Sequence, residues 1–198
     1  MSQTLIAKAF ELHEWITQCL DGLDISRERR VLLAVSCYDV VIEHHVGIVV
    51  LLRSRINGSA FSLVRPLFET FVRGVWLRHC ATDEQIDLYV DDKLGLKFWQ
   101  LLQAVEKVDG FAGKVLSGLK KNAWDAMNSY THGGIRQAER RTNGAYIEPA
   151  FSLEEIVEVI KLAGSFALLA FQQIADEAKR TDLANEALEK LSGVGQVQ

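Results

Sequence analysis

Arg65, Glu69 and Arg73 stand at i, i+4 and i+8 of one apolar, helix-patterned stretch. On an α-helix that spacing puts the three side chains within an arc of about 80°, shared with Ser62 and Trp76. Two readings are open. The row is a solvated Arg-Glu-Arg ladder worth roughly 0.2–0.5 kcal/mol per pair, or it lines a polar cleft that holds a ligand or partner. A second charged pair, Asp39 and Glu43, is also spaced i, i+4, with Leu32, Val46 and Val50 projecting from the same arc. Carboxylates within an apolar stripe are costly without partners. The expectation is therefore an ion network from Asp39 and Glu43 to Arg65 and Arg73 across two adjacent helices.

The third feature is Ser129-Tyr130-Thr131-His132-Gly133-Gly134, followed by Arg136, Glu139, Arg140 and Arg141. Paired glycines let a backbone turn tightly or approach another group closely, and histidine is the usual general base near neutrality. In a purely structural role the segment is a helix C-cap, with Tyr130 packing, His132 bonding the last carbonyls and Gly133 left-handed. In a functional role Tyr130, His132 and Arg136 join Arg65, Glu69 and Arg73 as ligand-binding residues, and the arginines meet an anionic ligand or a phosphate backbone. Metal chemistry finds little support. No Glu-x-x-His pairs occur, and in Glu43-His44-His45 the side chains diverge along the helix, leaving His44 and His45 as surface or satisfied core residues. No phosphate loop, dinucleotide fingerprint or nucleophile elbow is present, and no cofactor is expected.

The elements that position these residues read as helices almost throughout, with only two prolines in 198 residues. The spacing predicts helices over about 4–20, 27–55 (capped by Ser26 and closed by Asn57-Gly58) and 59–80. Pro66 either kinks the third or sits in the first turn of a helix starting nearer Leu63. Thr82-Asp83-Glu84-Gln85 is a capping box for a helix to about Val90. Helical spacing resumes over about 93–108 and 113–130. It stops from Thr131 to Ala150, a length at which connections are usually functional or disordered. Ser152-Leu153-Glu154-Glu155 is a second capping box, opening a helix to about Arg180, and a short helix over 181–191 follows. The expected fold is an all-α, up-and-down bundle of six to eight helices, one domain over 1–191 with a frayed tail at 192–198.

Composition fits a self-sufficient core, 48% hydrophobic and 24% charged. A net charge of −4 argues against a broadly basic nucleic-acid surface while leaving room for a local one. Cys19, Cys37 and Cys80 are widely spaced and read as small buried hydrophobes in a reducing compartment. The N-terminus carries no basic signal region, and the apolar runs Val46–Leu52 and Phe166–Phe171 are far shorter than the ~20 residues of a membrane span. A cytoplasmic protein without a membrane partner is expected, with homodimerisation plausible for a bundle.

Several segments together resemble a family of bacterial helical proteins of similar length to which no function is assigned. They are Ser59-Ala60-Phe61, Arg65-Pro66-Leu67-Phe68-Glu69, Val72-Arg73-Gly74-Val75-Trp76-Leu77, Asn128 through Gly134, Gln137, Arg140-Arg141 and Ile147-Glu148-Pro149. The resemblance spans about Asp39 to Leu169. It singles out Arg65, Glu69, Arg73 and His132 without implying a reaction. A more distant likeness is to the HEPN superfamily of helical ribonucleases, whose motif is an arginine followed after a short spacer by a histidine. Arg73 through His79 fits it, although Gly74 stands where those enzymes usually carry a polar residue. That likeness implies His79 as general acid or base in RNA cleavage and Arg73 as the group holding the scissile phosphate. Three functions follow: a ligand- or partner-binding regulatory module, which is favoured, a HEPN-like ribonuclease, and a structural interaction bundle.

Overall fold

Two 25-residue helices, α2 (Arg29–Arg53) and α9 (Leu153–Glu177), form the centre of the protein, whose computed structural model describes residues 2–194. Around them stand α1 (Ser2–Leu20), α4 (Val64–His79) and α10 (Thr181–Val194). The third wall is α4, packed along α2 and against α9, and α1 and α10 close the far side. Four further helices complete the bundle, α3 (Asn57–Ser62), α5 (Asp83–Val90), α6 (Phe98–Val105) and α7 (Val115–Thr131), of which α3, α6 and α7 pack on α4. Ten helices in all, counting the five-residue α8 (Ile135–Glu139), are found among the described residues. The fold is the expected all-α bundle.

The apolar sequence of α2 follows from its position. It is long and apolar enough to cross a membrane by length and composition. Val31, Ala34, Tyr38, Val41, Ile42, Ile48 and Val49 are each nearly or wholly excluded from solvent. One face packs on α4 and another on α9. Helices α2 and α4 approach closely at Gly74, where a Cβ would stand 2.6 Å from Cε1 of Tyr38 and 3.2 Å from Cβ of Cys37. Gly74 is thus a packing residue. The core between the three walls is aromatic: the Phe166 ring centroid lies 5.6 Å from that of Phe68 and 5.1 Å from that of Phe71, in the range of favourable offset and edge contacts.

Chain punctuation is local chemistry. Thr82 and Ser152 each close a reciprocal capping box, with Gln85 and Glu155, as the sequence predicts. Pro66 falls in the first turn of α4, where its missing N–H is harmless. Other expectations are corrected. The second helix ends at Arg53 because Arg55 turns left-handed (φ 59°) and the Ile56 amide folds back to Leu51 O. Asn57-Gly58 does not stop that helix but opens α3. Ser26 accepts from the Glu28 amide one turn before α2 begins. The helix expected over 93–108 is shortened to α6 because Asp92 is left-handed (φ 54°) and Lys97, through Gln100, becomes the N-cap. Ser192–Val194, expected in the tail, complete α10, and residues 195–198 lie outside the described part.

The segment without helical spacing is compact. It holds α8 and an antiparallel pair of two-residue strands, β1 (Thr142–Asn143) and β2 (Tyr146–Ile147). Gly144, at φ 64°, makes their turn. Of the cysteines, Cys37 is buried, Cys19 and Cys80 are half-buried, and all three are free. Burial pushes each thiol up from its ordinary value.

Candidate functional site

The residues singled out by type and spacing do not meet in one place. The structure gathers most of them into three places, around Arg65, around Arg73 and around Tyr130, and leaves Asp39, Glu43 and His79 apart from all three.

Arg65 forms the first. Its Nε donates to Glu69 Oε1 at 2.9 Å, one turn along α4. Its Nη1 reaches across to α7, 2.5 Å from Asn128 Oδ1 and 2.6 Å from His132 Nε2. Since a guanidinium only donates, that ring nitrogen accepts, which puts the imidazole proton on Nδ1. The flat face of the guanidinium lies 4.6 Å from the Trp124 ring centre, and Trp124 in turn stacks on Phe98 at 5.1 Å, nearly parallel. Lys120, Trp124, Asn128 and His132 are four residues apart in turn, so one stripe of α7 meets Arg65. Asn128 and Trp124 were not selected from sequence, although that four-residue spacing ending at His132 was there to be read. With Nε and Nη1 engaged and a ring beneath it, Arg65 clamps α7 to α4.

Arg73 has turned away. Eight residues past Arg65 is an offset of about 80°, enough to carry it from α7 to α5. There its guanidinium carbon lies 5.7 Å from the Tyr89 ring centre, and its Nε is buried without a hydrogen-bond partner. Tyr89 Oη is 3.8 Å from the Cys37 sulfur. His79 is exposed at the last turn of α4, facing α9. Burial holds its imidazole below the ordinary value, with the Gln173 side chain as an opposing hydrogen-bond partner. Arg73 and His79 therefore face different helices, and the pairing implied by the ribonuclease likeness is not assembled.

Asp39 and Glu43 are exposed on α2, and neither makes an ion pair with Arg65 or Arg73. The expected network fails because the stripe they share is the outward one. Leu32 and Val50 on the same arc are themselves 42% and 38% exposed. Carboxylates in water need no partner, and Arg65 takes Glu69 instead.

Tyr130 and Arg136 line the third place, a cleft of about 380 Å³ between α3, α7, α8 and α9. Phe61, Val64, Met127, Val159 and Leu162 make its apolar floor. Tyr130 packs against Phe61 and Phe151, with ring centres 5.2 and 6.4 Å away, and burial pushes its phenol up from the ordinary value. Its hydroxyl makes no hydrogen bond among the described residues, and the Arg136 guanidinium makes no ion pair among them. Gly133 is left-handed at φ 67°, and His132 is the C-cap whose amide donates to Asn128 O at 3.0 Å, as the C-cap reading expects, while its ring turns to Arg65. At the rim Arg140 grips Glu155 through two nearly parallel bonds of 2.8 and 2.5 Å and also donates to Ala150 O. Burial alone would push the Glu155 carboxyl up. The Ser152 amide and Arg140 outweigh it and hold the carboxyl below its usual range. The Arg140–Glu155 fork fastens the base of the β1–β2 hairpin to the N-terminus of α9, and nothing in the local sequence pairs two residues fifteen apart.

His45 was also misjudged. It lies on the apolar stripe of Val41, Ile42, Ile48 and Val49 and is fully buried, but neither ring nitrogen has a hydrogen-bond partner. Among the described residues no three histidine, cysteine or carboxylate side chains come together as metal ligands.

No curated protein and no solved structure matches this chain. Residues 38–192, which carry α4, the Arg65 clamp and the whole cleft, match one family model, and on that match the chain belongs to a family of unknown function, DUF6988.

Proposed function

We propose that this protein is a small-molecule-binding module whose ligand occupies the cleft between α3, α7, α8 and α9. The observation that carries the reading is a combination within one cleft. An apolar floor is joined by a buried phenol and a guanidinium, Tyr130 and Arg136, neither committed to a protein partner. Ligand sites are typically concave, largely apolar and provided with a few convergent polar groups. The chemistry fits a compact apolar molecule with an acceptor or acidic end, bonded by the Tyr130 hydroxyl and met by Arg136. The Arg140–Glu155 fork gives the cleft a fixed edge.

The Arg65 cluster supports a structural part in the same module. Its Nε and Nη1 donors are taken up by Glu69, Asn128 and His132, so it sets the angle of α7, which is one wall of the cleft. The test is a thermal-shift and calorimetric screen of apolar monocarboxylates and their neutral amides. A hit should be weakened about tenfold by Tyr130→Phe and lose its acid preference in Arg136→Ala, one hydrogen bond or charge contact each. Hits that ignore both substitutions, or no hits at all, refute the reading.

A further inference from the structure

A second pocket, remote from the cleft, opens where α1, α2, α9 and α10 converge. Its volume is about 180 Å³. Leu5, Ala9 and Leu12 of α1 line it with Ile160 and Gly164 of α9. At the mouth stand Lys8, Lys161 and Lys190, and no carboxylate is among the lining residues. At the floor is His45, wholly excluded from solvent with both ring nitrogens unpartnered. The pocket thus runs from the exposed ammonium groups of Lys8 and Lys190 to a buried imidazole.

Gly164 keeps that path open. It is an interior residue of α9, where glycine is less favourable than alanine. A Cβ there would meet only Leu12 Cδ2 at 3.5 Å and His45 Nε2 at 4.0 Å, ordinary contact distances. Alanine would therefore fit the fold, and the space it would take is the space beside the imidazole. A neutral imidazole offers one donor and one acceptor, and a buried polar group without a partner is expensive to keep. His45 is not satisfied by its neighbour His13, whose ring centre is 6.3 Å away and whose Nδ1 is likewise unpartnered.

We infer that this pocket binds a monocyclic aromatic acid bearing a ring hydroxyl. The ring fills the apolar walls, the hydroxyl pairs with His45 and the carboxylate lies at the lysine mouth. The size is right, since an apolar cavity of roughly 150 Å³ accepts benzene. Lys8 is the principal carboxylate partner, because Lys190 already lies 4.5 Å above the Trp15 ring and 3.4 Å from Glu186. The site is independent of the cleft and of the function proposed for it.

The experiment uses the whole protein, with 4-hydroxyphenylacetate as probe against phenylacetate and 4-hydroxybenzyl alcohol. Calorimetry and proton–nitrogen NMR of the Gly164 amide and the His45 ring give the readout. The full probe should bind about tenfold more tightly than either analogue, the worth of one hydrogen bond or one charge contact. His45→Leu should erase the advantage over phenylacetate, and Lys8→Gln the advantage over the alcohol. Gly164→Ala should abolish binding while raising the melting temperature, which separates a filled pocket from a damaged fold. Tyr130→Phe and Arg136→Ala should leave this binding untouched. The inference is overturned if millimolar probe moves neither resonance, or if binding survives Gly164→Ala. It is equally overturned if a crystal grown with the probe shows only water against His45.

Discussion

Acid should unfold this protein through His45, and the size of the effect follows from its burial. Exclusion from water, and secondarily the nearby His13, lower its imidazole from 6.5 to about 4. The unfolded chain takes up that proton as pH falls through 6.5, while the folded ring takes it up only near 4. The unfolded state therefore binds more protons in this window, and stability falls as pH falls. From the two values the loss is about 2 kcal/mol at pH 5, levelling off near 3 kcal/mol below pH 4. His13, His44 and His79, whose rings burial also holds below the ordinary value, add in the same direction. The His45 share is isolated with His45→Leu, which has no proton to gain and strands no polar atom. Urea unfolding of both proteins at pH 7, 6 and 5 is the assay. The variant should be at least as stable at pH 7 and should lose about 2 kcal/mol less than the parent between pH 7 and 5. Equal losses in the two proteins would refute the argument, because His45 would then be solvated or partnered in both protonation states.

Gly74→Ala should destabilise the bundle by about 1–3 kcal/mol, since the new methyl lands 2.6 Å from the ring of the fully buried Tyr38. Helix propensity alone predicts a gain of about 1 kcal/mol, so a raised melting temperature would show that α2 and α4 are not packed this closely. Arg65→Ala should cost about 1–2 kcal/mol, from its bonds to Asn128 and His132 and its place over Trp124. Amide exchange should quicken in the last two turns of α7, and unchanged protection there would count against the clamp.

Where the chain's own neighbours decide, the sequence was legible. The capping boxes at Thr82 and Ser152, the place of Pro66 and the left-handed Gly133 all follow from residues within one turn. Legibility failed where a helix is apolar nearly all round. On α2 the pattern cannot tell the face covered by α4 from the one left to water, so the spacing alone points Asp39 and Glu43 to the wrong side. It failed again in extending one row across α4, since the 80° or so between Arg65 and Arg73 spans two different neighbours. The Arg140–Glu155 fork and the pocket at His45 join residues from distant segments and leave no periodic trace. The buried stripe containing His45 was readable, but whether anything would bond its ring was a property of α1 and α9.

The placement of α9 bears on how the protein is made. Its buried face, with Phe166, Ala167, Ala170 and Phe171, is the wall against which α2 and α4 complete their core. Ninety-nine residues lie between the end of α2 at Arg53 and the start of α9 at Leu153. As synthesis proceeds, the nascent chain holds the α2–α4 pair with Val41, Ile48, Phe68 and Phe71 still open to water until the ribosome has delivered the last quarter of the sequence. Closure of that core is a late, long-range event of the kind that slows folding and exposes intermediates to aggregation. The hairpin, pinned by Glu155 at the first turn of α9, is placed to form just as that final wall arrives.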